Sequence, residues 1–157
     1  MGYRWQLGPM ADLGTEPRWA RVQNVFGENA FHVAKHVQAC VEGFQGVGDG
    51  GLANGIAATM KHFPGAGANE DGMDSHSRPG KFNVYPGGAF EYHQIPFQAA
   101  VDVGVAAVMP CYSVFKGQTD YDPEQVAASA ARFSVERYRD AMWQLWTRVL
   151  EGDQGTK

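Results

Sequence analysis

A short apolar run that ends on two ionisable residues constrains this chain more than any other feature. Residues 55–60 are small and mostly apolar, glycine-rich sequence flanks them, and Lys61 and His62 follow directly. Such a run is typical of a buried strand in an α/β sheet rather than of an amphipathic helix. Chemistry in parallel α/β folds lies at the carboxyl ends of the strands. We therefore expect Lys61 and His62 at a cleft; the alternative is a snorkelling lysine beside a histidine bonded to the backbone.

Predicted helices alternate with predicted strands along the first two thirds of the chain. Residues 1–8 are expected to form an irregular lead-in, and Asn29 is a candidate N-cap for a helix over 30–44. A second helical segment over 90–104, with a pause at Pro96, leads into a second buried strand at 105–109. This order predicts an α/β fold in which crossover helices connect a parallel sheet. The apolar residues of the first helix recur at three- and four-residue steps: Phe31, Ala34, Val37, Val41 and Phe44.

The last third of the chain has a different pattern. Asp122 is a candidate N-cap, Pro123 fits the first helical position, and a helical period continues to about residue 150. One helix over 122–150 is long for a globular domain and is not expected of an ordinary crossover between strands. The candidate cap and the unbroken helical period nevertheless predict one long C-terminal helix.

The composition is that of an ordinary globular protein and argues against several partners. With 157 residues, of which 44% are hydrophobic and 19% charged, the chain is long enough for one domain with a core. A formal net charge of -4 without a lysine or arginine cluster argues against nucleic acid and anionic membranes as partners. No apolar run approaches the ~18 residues of a membrane span, and no signal peptide is recognisable. The compartment stays open, because an N-terminal region could be missing.

Two groups of side chains have a spacing that metal sites use. The group that includes His32 and His36 lies on the first predicted helix, off its apolar stripe. We therefore favour a solvent-exposed helix face over a metal site there. We expect no metal and no cofactor, and a chelator that changes the stability would contradict this. The two groups are Glu28 with His32 and His36, and Asp71 with Asp74 and His76.

Two loops are candidates for ligand binding. In the loop over 14–27, Arg18 and Arg21 flank Trp19, which is suited to stacking on a polyhydroxylated ligand; the alternative is a tryptophan that packs on the rim of the fold. The polar segment over 68–86 is too long for an ordinary connection, and long ordered loops are usually functional.

Five sequence pieces, in order and spacing, resemble the N-terminal barrel of glycoside hydrolase family 3, the β-glucosidase and β-xylosidase family. The resemblance covers residues 9–117 and implies a (β/α)8 barrel, of which 157 residues supply about half, since a full barrel needs ~250. We therefore expect residues 1–157 to form one incomplete barrel domain with an atypical helical tail over 118–157. The pieces are PRWAR at 17–21 with FGE at 26–28, GFQG at 43–46, KHFPG at 61–65, EYH at 91–93 with PF at 96–97, and VM at 108–109 with Tyr112.

The resemblance implies a retaining hydrolase of β-linked glucosides, with carbohydrate as its partner. Carried over by position, Arg21, Lys61 and His62 hydrogen-bond the sugar hydroxyls, and Met109 and Tyr112 line the pocket wall. Charge-assisted hydrogen bonds from lysine and arginine suit adjacent sugar hydroxyls, and such contacts tighten in an oxocarbenium-like transition state.

The chain departs from the family pattern after residue 117. Retaining glycosidases need two carboxyl groups or their equivalents about 5 Å apart, and the family nucleophile is an aspartate in a Ser/Thr-Asp-Trp-like context. That context is absent, and Asp140 lies in a helical pattern, so we do not assign it the role. We expect the nucleophile to be missing and this fragment alone to be inactive.

Two alternatives remain open. Asp74 and His76 after the KHFPG piece resemble the β-N-acetylglucosaminidase branch, in which a histidine oriented by an aspartate is the acid/base. The second alternative is a non-catalytic half-barrel that binds sugar weakly, or that self-associates through exposed sheet edges. The sugar and the linkage are not determined by the sequence.

Overall fold

The structure, a computed structural model, describes Gly2 and residues 4–116. The predicted helix over 122–150 lies outside the described residues. The described part contains seven main elements: strands β1 (Trp5–Gln6), β2 (Ala57–Phe63), β3 (Phe82–Asn83), β4 (Ala107–Pro110) and β5 (Val114–Phe115), and helices α1 (Ala30–Gln45) and α2 (Phe90–Asp102).

The main sheet is parallel, with strand order β1-β2-β4. Strand β1 pairs with the start of β2, where Trp5 aligns with Ala57, and β4 pairs with its end, where Lys61 aligns with Met109. Strands β3 and β5 form a separate parallel pair. The α/β fold and the predicted strand before Lys61 are therefore confirmed, and Lys61 and His62 are the fifth and sixth residues of β2.

Helix α1 forms where its cap and apolar positions predict it. The Asn29 side chain accepts a hydrogen bond from His32 N at 3.0 Å, and Gly46 ends the helix in the left-handed region at φ 66°. One stripe residue was predicted wrongly: Phe31 is 62% exposed. It contacts the ring of Tyr92 edge-on instead, while Ala30 and Val33 face the core.

Helix α2 is continuous through Pro96, so the predicted pause is wrong. Proline removes one backbone donor from the helix, and the burial of Pro96 beside Phe97 shows that core packing maintains the helix there. Helices α1 and α2 pack on each other, and Ala58 and Met60 of β2 belong to the same core. Alternate residues of β2 thus face the helices, as expected for a strand.

The first residues of the chain are more regular than predicted. Residues 1–8 were expected to be irregular, yet Trp5–Gln6 is a strand, and Trp5 Nε1 donates to Thr59 Oγ1 at 2.6 Å. Beyond it the chain continues along β2, with Ala11 N donating to Lys61 O at 2.7 Å. None of the described helices has the length and apolar character that a membrane crossing requires.

Candidate functional site

The segment that follows β1 brings a buried carboxylate to the end of β2. Asp12 is fully buried, and its carboxylate accepts hydrogen bonds from His62 Nδ1 at 2.9 Å and from Ala66 N at 2.6 Å. The backbone N–H of His62 also points at this carboxylate, 3.2 Å from Oδ2. These bonds fix both the His62 ring and the turn that follows it. The sequence analysis did not single out Asp12.

The other ring nitrogen of His62 contacts Arg21. Arg21 Nη1 lies 3.3 Å from His62 Nε2, and the guanidinium lies over the Trp19 ring, 5.2 Å from its centroid. Arg21 Nη2 is buried and has no hydrogen-bond partner in the described part of the chain. Arg21 and His62, two of the predicted site residues, are therefore in direct contact, and the guanidinium has donor capacity left for a ligand.

Asp74 anchors Arg21 from the loop that follows β2. Its Oδ2 atom accepts from Arg21 Nε and from Trp19 Nε1, both at 2.8 Å. Its Oδ1 atom accepts from His76 Nδ1 at 2.7 Å and from His76 N at 3.0 Å. Burial alone would raise the pKa of the Asp74 carboxyl, but these four hydrogen bonds outweigh burial and hold its pKa well below the usual range.

We call these five linked side chains the polar network. Its members come from sequence positions far apart, since residues 12 and 21 lie between β1 and α1, residue 62 lies in β2, and residue 74 lies between β2 and β3. All of them gather near the carboxyl end of β2, the end at which parallel α/β sheets carry their chemistry. The polar network consists of Asp12, His62, Arg21, Asp74 and His76.

The remaining predicted site residues lie around the polar network. Lys61 is half-buried and aligns with Met109 of β4, so the two side chains leave the sheet on the same face. Tyr112 is 74% exposed and meets the His76 ring edge-on, with ring centroids 5.2 Å apart. Tyr112 thus contacts the histidine loop, and no direct contact of it with Arg21 or His62 is observed among the described residues.

Trp19 does not present its face to a ligand. It is 1% exposed, its indole N–H is held by Asp74, and Arg21 covers its ring. The stacking interpretation of this loop is therefore wrong, and the packing interpretation is right. The aromatic side chain supports the arginine rather than a ligand.

The metal spacings do not develop into a cluster. Among the described residues no group of three or more His, Cys, Asp or Glu side chains could hold a metal ion. His36 Nδ1 bonds the His32 carbonyl oxygen at 3.0 Å on the exposed face of α1, and both Asp74 and His76 belong to the polar network.

The amino-acid sequence matches the N-terminal domain of glycosyl hydrolase family 3 over residues 1–138. The chain belongs to glycosyl hydrolase family 3. It is 43% identical over 113 residues to beta-glucosidase C of Emericella nidulans, a match that covers 72% of this chain and 18% of that protein. It is 36% identical over 157 residues to a periplasmic beta-glucosidase/beta-xylosidase of Dickeya chrysanthemi, covering 99% of this chain and 22% of that protein. The chain therefore spans about a fifth of the length of these relatives.

Solved structures of the same family have a similar fold. A beta-glucosidase from Listeria innocua in complex with isofagomine superposes with a TM-score of 0.61 at 30% identity, over 74% of this chain and 16% of that one. The same enzyme in complex with glucose gives a TM-score of 0.61 at 29% identity, again over 74% of this chain and 16% of that one. The family resemblance inferred from the sequence is thus confirmed.

Proposed function

We propose that this chain carries part of the sugar-recognition pocket of a retaining β-glucosidase. The observation that carries the proposal is the contact between Arg21 and His62 at the carboxyl end of β2, with the buried Asp12 behind His62 and the half-buried Asp74 behind Arg21. Family membership and relatives named as beta-glucosidases support the same conclusion. The solved relative in complex with glucose makes glucose the first ligand to test.

The donor set of the pocket suits a sugar. Arg21 has an unused guanidinium nitrogen, and the Lys61 ammonium has no hydrogen-bond partner among the described residues. Both are charged donors, and the oxygens of adjacent sugar hydroxyls accept such charge-assisted hydrogen bonds. Contacts of this kind that strengthen in the oxocarbenium-like transition state contribute several kcal/mol to glycoside hydrolysis.

The catalytic nucleophile is proposed to lie outside residues 4–116. The two carboxylates next to the pocket, Asp12 and Asp74, use both of their oxygens as acceptors for protein donors. Asp12 is also fully buried, so it has no access to a sugar carbon. A nucleophilic carboxylate needs a free oxygen directed at the anomeric centre, which neither residue offers.

The described strands are proposed to be part of a (β/α)8 barrel. In such a barrel consecutive strands are neighbours, parallel, and connected by helices on the outside. The order β1-β2-β4, with α1 between the first two strands and α2 between the last two, agrees with that arrangement.

A second candidate function rests on His76. Its Nδ1 atom lies 2.7 Å from Asp74 Oδ1, and its side chain is 58% exposed, which leaves Nε2 accessible for proton transfer. This geometry suits the acid/base histidine of a β-N-acetylhexosaminidase-like enzyme. Asp74 is not dedicated to His76, however, because its other oxygen holds Arg21. Binding of N-acetylglucosamine that is tighter than binding of glucose would favour this candidate.

Glucose titration of the ¹⁵N-labelled chain tests the main proposal. We expect the Trp19 indole signal and the Arg21 Nε–H signal to shift, because both groups bond Asp74 at the pocket. Replacing Lys61 by methionine removes one charged donor and should weaken binding at least about tenfold. Lys35→Met, on the exposed face of α1, is the matched control and should bind as the wild type does. Equal affinity of Lys61→Met and Lys35→Met would contradict the proposal.

A further inference from the structure

We propose that Asp12 is a positioning residue that makes His62 a hydrogen-bond acceptor, so that the pocket selects a free sugar hydroxyl that donates to His62 Nε2. This inference rests on the proposed function and adds to it the polarity of one contact with the substrate. It also gives a role to a fully buried carboxylate that cannot touch the sugar itself.

The surroundings of Asp12 require a proton on Nδ1 of His62. The carboxylate receives two backbone N–H groups, from Ala66 at 2.6 Å and from His62 itself at 3.2 Å. It is therefore an acceptor on both oxygens, as an ionised carboxylate is. The ring nitrogen 2.9 Å from Asp12 Oδ2 must then be the donor of that bond.

The surroundings of Arg21 require a lone pair on Nε2. A guanidinium has five N–H donors and no acceptor, so the contact between Arg21 Nη1 and His62 Nε2 is possible only if Nε2 accepts. The two contacts therefore agree on one ring form, the neutral imidazole with its proton on Nδ1. A ring protonated on both nitrogens would direct an N–H of His62 at an N–H of Arg21.

We expect a sugar hydroxyl to replace the direct contact between Arg21 and His62, which separate to admit it. Their contact is long, at 3.3 Å, so its replacement costs little. One hydroxyl can accept from Arg21 Nη1 through its oxygen and donate its hydrogen to His62 Nε2. A group that only accepts, such as fluorine or a methyl ether, satisfies Arg21 but leaves Nε2 without a donor. Sites built around such a bond discriminate against analogues that lack it.

The ring form of His62 is measured directly by two-bond ¹H–¹⁵N correlation spectra of the imidazole, with His62→Gln identifying the signals. We expect a protonated Nδ1 and an unprotonated Nε2 in the wild type, and loss of this single form in Asp12→Asn. Asp71→Asn, an exposed carboxylate in the 68–86 loop, is the matched control and should leave the spectrum unchanged. A proton on Nε2 of wild-type His62 would overturn the inference, even if Asp12→Asn does not fold.

The selectivity is measured with glucose and its 2-, 3-, 4- and 6-deoxyfluoro analogues. We expect one analogue to bind at least about tenfold more weakly than glucose, and Asp12→Asn to reduce that difference while Asp71→Asn keeps it. Binding of glucose and of all four analogues within threefold of one another overturns the inference and leaves the proposed function standing. Failure of glucose itself to bind overturns both.

Discussion

Gly67→Ala is expected to separate the two segments that form the candidate site. A Cβ atom at position 67 would lie 1.7 Å from the carbonyl oxygen of Leu13, whereas ordinary contacts of a Cβ atom begin near 3.4 Å. Leu13 directly follows Asp12, and residue 67 belongs to the turn after His62. The Cβ atom is fixed by the backbone of residue 67 and the oxygen belongs to the backbone of Leu13, so no side-chain rotation relieves the contact. The two segments have to move apart.

The size of the effect follows from the hydrogen bonds beside Gly67. Its carbonyl oxygen accepts from Glu16 N and from Thr15 Oγ1, each at 3.1 Å, and Ala66 N donates to Asp12 Oδ1 at 2.6 Å. At about 1 kcal/mol for each neutral bond and about 2 kcal/mol for the bond to the carboxylate, their loss costs about 4 kcal/mol. This is a large part of the ~5–15 kcal/mol by which domains are usually stable.

Urea unfolding followed by tryptophan fluorescence measures this change as a shift of the midpoint. Gly43→Ala is the control, because position 43 lies on the exposed face of α1 and the added Cβ meets nothing within 4 Å apart from the neighbouring backbone of its own helix. Alanine should stabilise the helix there by about 0.5–1 kcal/mol. A free energy of unfolding for Gly67→Ala within about 1 kcal/mol of the wild type would refute the close approach of the two segments.

Three further changes test separate parts of the structure. Arg21→Lys should reduce glucose binding at least about tenfold, because lysine lacks the guanidinium fork that bonds Asp74 and His62. Arg78→Lys, on the exposed loop, is the control and should bind glucose as the wild type does. Equal affinities of the two variants for glucose, measured by titration, would contradict this prediction. Burial lowers the pKa of His93 from 6.5 to about 4, so its neutral form stabilises the fold fully above pH 6.5. About 3 kcal/mol of stability should be lost as the pH falls from 6.5 to about 4, where the loss is complete, and His93→Gln, followed by urea unfolding at each pH, should remove that dependence. Asn29→Ala should cost about 1 kcal/mol of unfolding free energy through loss of the α1 cap, and an unchanged urea midpoint would speak against the cap.

Local sequence patterns predicted the elements whose signals lie within one stretch of chain. The small apolar run before Lys61 predicted β2, and Asn29 with the apolar period predicted α1 to within one residue. Phe31 was assigned to the buried stripe because the period alone does not show where the stripe ends. The pause at Pro96 was predicted from proline's missing donor, and tertiary packing outweighed that local cost.

The connections within the site could not be predicted in the same way. Asp12 and His62 are 50 residues apart, and Arg21 and Asp74 are 53 apart, so their contacts depend on the register of the sheet and on loop paths. One signal was available for Asp12: a carboxylate directly after an apolar segment, expected beside a strand that ends in Lys61 and His62. Parallel neighbours end at the same edge of a sheet, which would have brought these residues together.

The central claim is that Arg21, Lys61 and His62 form a working sugar pocket. Urea unfolding of the wild-type chain, followed by tryptophan fluorescence with and without glucose, tests it most directly. A ligand that binds only the folded state adds RT ln(1 + [L]/Kd) to the stability, which is about 2.7 kcal/mol at 100 times Kd. The account predicts one cooperative transition that moves to higher urea as glucose is added. A transition with the same midpoint at every glucose concentration would contradict it.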